Sequence, residues 1–141
     1  MNPTSSQYQS WLESFAAAHG AMAGTVHLQQ GEDLELVAAL NIPPPVVATV
    51  RHVPKGKGMA GLAQVRKEPV QTCNLQDDNT GRIKPGAKAV DARAAVALPV
   101  LNAAGEVHAV VGVAFMEVGE IPAEREKAMM AGAAKLLELA V

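Results

Sequence analysis

Aromatic side chains and cysteine are scarce in this chain of 141 residues: only 3% of its residues are Phe, Trp or Tyr, and Cys73 is its single cysteine. One thiol cannot form a disulfide within the chain, and a single cysteine fits a protein of a reducing compartment. No apolar run reaches the roughly 20 residues that span a bilayer, and the N-terminus lacks the basic and apolar regions of a signal peptide. We therefore expect a cytoplasmic protein that has no membrane partner.

Serine, histidine and charge also exclude whole classes of function. All four serines precede the predicted sheet, so a serine-nucleophile hydrolase is not expected. The four histidines lack metal-binding spacing, and the sequence names no cofactor and no metal site. A formal net charge of −2 argues against a nucleic-acid partner. Between Arg51 and Arg93, nine Lys and Arg residues accompany four acids; this local excess fits an anionic ligand or, more simply, a solvated loop face.

Helical periodicity marks both ends of the chain. The apolar residues spaced at i, i+3, i+4 and i+7 before Gly20 are Tyr8, Trp11, Leu12 and Phe15. Pro122 opens a last helix that is predicted to reach the terminus. Its two adjacent apolar seams are Met129, Ala133, Leu136 and Ala140, and Met130, Ala134, Leu137 and Val141. These surfaces fit an intramolecular core, and we also predict a homodimer through residues 6–18 and 122–141.

Alternating or continuous apolar residues predict five strands, at residues 25–29, 34–40, 70–73, 94–101 and 107–115. In the second strand, one face is expected to carry Leu34, Leu36, Ala38 and Leu40. The last two strands are apolar on both faces, which is typical of central strands. Their small residues, Ala95, Ala97, Gly112 and Ala114, leave room for a ligand. Pro44 or Pro45 can start a short helix through Thr49, and residues 74–91 form a long polar loop of the kind that covers binding sites.

A glycine motif, Gly56-x-Gly58-x-x-Gly61, admits two interpretations. Its spacing matches the fingerprint of a dinucleotide-binding βαβ unit. After Gly61, however, only residues 62–67 can be helical before Pro69, because a proline disfavours the helical conformation of its predecessor. A parallel crossover needs roughly 10 to 12 residues. The dinucleotide-binding fold is therefore the second choice.

The preferred interpretation is a resemblance. The order of motifs runs from the glycine turn and short helix through a Glu-Pro-Val strand and an Asp-rich loop to a Leu-Pro-Val strand, a Gly-turned hairpin and a final helix. This order resembles a GAF domain over residues 20–141, with residues 1–19 forming a helix that belongs to the domain or to a dimer interface. The resemblance implies an α+β fold with a mainly antiparallel sheet of five or six strands. It places the terminal helices on one face and a loop-covered pocket on the other, and it brings His27 and His108 onto paired strands.

GAF domains are small-molecule sensor and dimerisation modules, so the resemblance implies a sensory or regulatory domain that binds an unidentified small molecule without catalysis. Two alternatives stay open: a dimerisation module with a filled pocket, and a GAF-type enzyme. The cysteine expected of a bilin-binding GAF domain and the signature of the cyclic-nucleotide type are not seen.

The enzymatic alternative is best represented by the free methionine-(R)-sulfoxide reductases, which the glycine turn resembles closely. Their two reactive cysteines correspond here to Ala60 and Val90, and Cys73 lies elsewhere. Substrate-binding carboxylates are expected near Ala95 and Phe115, where only Glu117 is close. Because one thiol cannot be recycled through an intramolecular disulfide, we expect no reductase activity and assign no catalytic residue.

The predicted ligand site lies between the sheet and the loop 74–91. Its six residues are Met59, Leu62, Thr72, Asp91, Arg93 and Ala95. Gly58 and Gly61 are expected to let backbone N–H groups approach the ligand. Arg93 would orient an anionic or carbonyl group, or would pair with Asp91 at the surface.

Overall fold

The computed structural model of the protein describes residues 5–72, 94–116 and 121–139. Its helices are α1 (Ser5–His19), α2 (Pro44–Val50), α3 (Gly58–Arg66) and α4 (Ala123–Ala134), and a 3₁₀ helix (Lys135–Leu139) follows α4. Its strands are β1 (Ala23–Gln30), β2 (Asp33–Leu40), β3 (His52–Val53), β4 (Val70–Thr72), β5 (Ala94–Leu101) and β6 (Val107–Phe115). Cys73, the predicted loop 74–91, Arg93 and Glu117 lie outside the described residues.

One six-stranded sheet organises the molecule, in the order β3-β2-β1-β6-β5-β4. Every strand pair among the described residues is antiparallel. The predicted α+β fold is confirmed, and the dinucleotide-binding alternative is wrong because that fold requires parallel strands. As predicted, β5 and β6 lie inside the sheet. The strand β3 was not predicted, since two residues are too few to show a period.

The second strand differs from its predicted pattern because a bulge interrupts it. Val26 pairs with Ala38 and His27 pairs with Leu36, so Val37 is an extra residue in β2. A bulge reverses which face the following side chains occupy. Leu34 therefore packs on the face that carries α3, whereas Ala38 and Leu40 pack beneath the terminal helices. The expectation that all four alternating residues share one face is wrong.

The terminal helices cover one face of the sheet and bury most of the core there. Tyr8, Leu12 and Phe15 of α1 are buried against the sheet, so the aromatic stripe is satisfied within the chain. The predicted first seam of the last helix is buried too, at Met129, Ala133 and Leu136. The α-helix itself ends at Ala134 and tightens into the 3₁₀ helix, earlier than predicted. No described helix is both long enough and apolar enough to cross a membrane.

Two glutamine side chains form hydrogen bonds between the terminal helices and the sheet. The amide of Gln9 donates to the carbonyl of Ala39 (2.8 Å) and accepts from its N–H (3.2 Å), which satisfies backbone groups of β2 beyond the end of β3. Gln71 in β4 accepts from the backbone N–H of Ile121 (2.8 Å) and donates to Glu126 (2.6 Å). These bonds fix where α4 begins relative to the sheet.

The opposite face carries α2 and α3. The helix α3 begins at Gly58, four residues before the predicted start at Leu62, and ends at Arg66. Its C-cap, Lys67, adopts a left-handed conformation (φ 57°), and the N–H of Lys67 donates to the carbonyl of Ala63. Gly61 packs directly on the backbone of Gly56, where an added Cβ would lie 2.6 Å from the carbonyl carbon. The expectation that Gly61 lets a ligand approach is therefore corrected, because the close approach at this glycine is between two segments of the chain.

Candidate functional site

A cavity of about 150 Å³ lies between the sheet and the two short helices α2 and α3. Its floor is a patch of small residues contributed by the three central strands: Ala23, Ala95, Ala97, Gly112 and Ala114. Strand register explains the patch. Ala95 pairs with Ala114, and Ala97 pairs with Gly112, so small residues stand side by side across β5 and β6. The prediction that these small residues leave room for a ligand stays a prediction.

The roof of the cavity is aliphatic and comes from the segment between β2 and β4. Ile42, Val46 and Val50 contribute from α2 and its approach, and Met59 contributes from α3. Pro44 and Pro45 start α2, where their fixed φ suits the first helical turn. Phe, Tyr and Trp are absent from the described residues that line the cavity. The described walls therefore offer aliphatic contacts rather than an aromatic surface on which a flat ring could stack.

A buried histidine connects the floor to the roof. His27 in β1 lines the cavity, is 3% exposed and bonds the carbonyl oxygen of Val50 through Nε2 at 2.8 Å. A carbonyl oxygen can only accept a hydrogen bond, so Nε2 must carry the proton. This bond holds the C-terminal end of α2 against the sheet. His27 pairs with Val110, so His108 is two residues away along β6 and the two histidines are diagonal neighbours at most.

One cationic side chain, Lys57, borders the cavity just before α3. Lys57 is exposed, caps the helix with an extended backbone (φ −96°, ψ 137°) and makes no side-chain hydrogen bond to the helix end. Lys57 has no ion-pair partner within the part of the chain that the structure describes. The neighbouring Gly58 and Ala60, in the first turn of α3, also line the cavity. The positive potential of a helix start adds to the charge of Lys57 at this rim.

A separate polar cluster lies on the outer edge of the sheet. His52 in β3 contacts Asp33 through Nε2 (2.9 Å) and Glu35 through Nδ1. The hydrogen bond to Glu35 is the largest cause that raises the pKa of His52 above its usual 6.5, and Asp33 adds to it. The cluster joins β3 to β2 and precedes the turn that leads to Lys57. Across the described residues, no group of three His, Cys, Asp or Glu side chains is placed to hold a metal ion.

The six residues predicted for the site are distributed unequally. Met59 and Ala95 line the cavity. Leu62, which belongs to α3, packs against the neighbouring cluster around Leu34 and Ala63. The backbone of Thr72 pairs with Ala95, while Asp91 and Arg93 lie outside the described residues. The site prediction as a whole stays a prediction.

Sequence reasoning missed three polar lining residues, Thr25, His27 and Lys57. The signal for the first two was available, because both lie on one face of β1 by simple alternation. Lys57 lies within the glycine motif Gly56-x-Gly58-x-x-Gly61, in which only the glycines were assigned a role. The aliphatic residues of α2 were also missed, because the sequence predicted this short helix without indicating which part of the sheet it covers.

The positions relevant to sulfoxide reduction also separate in space. Ala60 lines the cavity, whereas Phe115 is buried on the opposite face, with the guanidinium of Arg125 4.5 Å from its ring centre. Phe115 pairs with Ala94, and Ala95 pairs with Ala114, so Ala95 and Phe115 project from opposite faces. Val90 lies outside the described residues.

Comparison with known proteins identifies the fold. No protein-family model and no curated protein matches the sequence. The GAF domain of an Acinetobacter phosphoenolpyruvate-protein phosphotransferase superposes with a TM-score of 0.77 at 17% identity, covering 96% of this chain and 80% of that one. The type II free methionine-R-sulfoxide reductase from Thermoplasma acidophilum gives 0.75 at 17% identity, covering 96% and 94%. The reduced fRMsr of Staphylococcus aureus gives 0.70 at 14% identity, covering 94% and 84%.

At identities this low, the likeness establishes architecture and not activity. The chain has the GAF fold, as its sequence motifs predicted. The similar structures include both a domain of a phosphotransferase and sulfoxide reductases, so the fold by itself does not choose between a binding domain and an enzyme.

Proposed function

We propose that this protein is a sensory or regulatory domain that binds a small molecule in the cavity between α2, α3 and the central strands. The observation that carries the proposal is the cavity itself. Protein interiors are normally close-packed, and an apolar pocket of about 150 Å³ that opens to solvent leaves apolar surface of the chain uncovered. A bound ligand would cover that surface, with a gain of roughly 25 cal/mol per Å² of apolar area removed from water.

The floor of small residues supports the same conclusion. Replacing any of several alanines by valine or leucine would fill the space with apolar side chains. The chain instead aligns Ala95 with Ala114 and Ala97 with Gly112 in register. A dimerisation module with a filled pocket, the second candidate, has no need of this arrangement.

A GAF-type sulfoxide reductase is disfavoured on chemical grounds. The position that would carry a thiolate in the cavity wall is Ala60, whose methyl group cannot attack a sulfoxide. The chain's one thiol, Cys73, has no second thiol to resolve a sulfenic acid within the same chain.

A fragment screen by thermal unfolding tests the proposal, with Ala95→Leu as the pocket-filling variant and Ala103→Leu, on the exposed hairpin turn, as its control. A ligand at 100 times its Kd adds about 2.7 kcal/mol to the stability of the native state. We expect compounds that raise the Tm of the wild type and of Ala103→Leu by several degrees but not that of Ala95→Leu. Failure to find any ligand, or equal binding to both variants, would contradict the proposed site.

A further inference from the structure

The size of the cavity limits the ligand more sharply than the fold does. A volume of about 150 Å³ is that of the engineered apolar cavity that accommodates benzene. The ligand body that fits is therefore about six to nine non-hydrogen atoms. The described walls provide no Phe, Tyr or Trp side chain on which the flat ring of a nucleotide, flavin or tetrapyrrole could stack.

The charge of the lining limits the ligand further. Among the described lining residues, Lys57 carries the only permanent charge, and none is acidic. Lys57 lines a space whose other walls are mostly aliphatic, and no carboxylate of the described chain is paired with it. A ligand with an aliphatic body and one anionic group would place each part against its complement.

A second polar group lies in the floor. The hydroxyl of Thr25 projects over Gly112, where an added Cβ would lie 3.0 Å from Oγ1. Thr25 lines the cavity, and its hydroxyl makes no hydrogen bond to the described residues. A hydroxyl can donate to a carboxylate or to a carbonyl oxygen of a ligand.

From these observations we propose that the cavity binds a small aliphatic carboxylate, with the carboxylate at Lys57 and the hydrocarbon part over the alanine floor. This proposal rests on the proposed function and adds the chemical class of its ligand. For a molecule of this size we expect a Kd on the order of 0.1 to 1 mM.

The test uses two probes of equal size and shape, 4-methylpentanoate and its neutral amide. Titrations are followed by NMR of the isotope-labelled protein at low ionic strength. Three proteins are compared: the wild type, Lys57→Gln, and Lys55→Gln, which removes the same charge from an exposed neighbour that does not line the cavity.

We expect the wild type to bind the carboxylate about 1.5- to 5-fold more tightly than the amide, which is the range expected for an exposed ion pair. Lys57→Gln should lose most of this preference, Lys55→Gln should keep it, and added salt should weaken it. Chemical-shift changes should be largest around Ala95 and Met59.

Equal binding of acid and amide by the wild type would overturn the carboxylate assignment while leaving a small-molecule site in place. A preference that survives in Lys57→Gln would also overturn it. If neither probe binds but the fragment screen finds other ligands sensitive to Ala95→Leu, the proposed function stands and the ligand class is wrong. If no compound binds in either experiment, the proposed function itself fails.

Discussion

Gly61→Ala is the substitution for which the geometry makes the clearest prediction. Gly61 lies inside α3, and an alanine Cβ there would be 2.6 Å from the carbonyl carbon of Gly56 and 3.0 Å from its Cα and nitrogen. All three atoms belong to the backbone, so no side chain can rotate away. Either α3 or the turn at residues 54–57 must move, and both border the cavity.

The expected cost follows from two opposing effects. Overpacking of this kind typically costs about 1–3 kcal/mol. Replacing glycine by alanine within a helix recovers about 0.5–1 kcal/mol of conformational entropy. Because the clash here is with fixed backbone, we expect a net destabilisation of about 1–2 kcal/mol, which corresponds to a fall in Tm of roughly 3–7 °C for a domain of this size.

Chemical and thermal unfolding of Gly61→Ala and of Gly132→Ala provide the measurement. Gly132 is also helical, but a Cβ there would meet only side-chain atoms, the nearest being Cε1 of Phe15 at 3.1 Å. Gly132→Ala gains the same helix propensity and should remain within about 0.5 kcal/mol of the wild type. If Gly61→Ala is as stable as the wild type, the close contact between α3 and Gly56 has been misjudged.

Three further predictions concern pH, activity and assembly. Glu35, and to a lesser extent Asp33, raise the pKa of His52 in the folded state above its usual 6.5. The stabilisation that the charge of His52 provides is therefore fully present below about pH 6.5, the pKa of the unfolded state. It is lost as the pH rises through the higher pKa of the folded state. The Tm difference between wild type and His52→Gln should therefore shrink from pH 6 to pH 9; a difference independent of pH would contradict this. We expect no reduction of free methionine sulfoxide by the protein with a thiol reductant, because Ala60 and Val90 replace the reactive cysteines; turnover that is lost on Cys73→Ser would refute this. We also expect a homodimer through the terminal helices, where Trp11, Met130 and Leu137 are only partly buried; sedimentation of only a monomer at micromolar concentration would show that expectation to be wrong.

The parts of the fold that sequence could predict are those in which one residue pattern determines one structure. The bounds of β5 and β6 were predicted correctly, because both strands are apolar throughout and Asn102 and Gly105 make the turn between them. The end of α1 before Gly20, the prolines of α2 and the end of α3 before Pro69 follow from equally local rules. The bulge at Val37 does not follow from a local rule, since it depends on how β2 pairs with β1 and not on the alternation of residues within β2.

The residues that line the candidate site also differ in whether a local sequence pattern predicts them. Ala95 and Met59 were predicted as lining residues because the linear sequence shows a small residue on a bulky strand and an apolar residue beside a glycine turn. His27 and Lys57 meet the cavity only through the pairing of β1 with β6 and the packing of α3 on the sheet. Such residues, which are distant in sequence, require the tertiary structure before their common location can be seen.

The central claim is that a ligand-sized space remains open between the sheet and the helices α2 and α3. A crystal structure of the protein under xenon pressure tests this claim most directly, because xenon occupies apolar cavities without needing a specific polar partner. We predict xenon density in contact with Met59, Val46 and Ala95. A space packed solid by the chain's own side chains, those of residues 74–91 included, with no xenon bound there, would contradict this prediction.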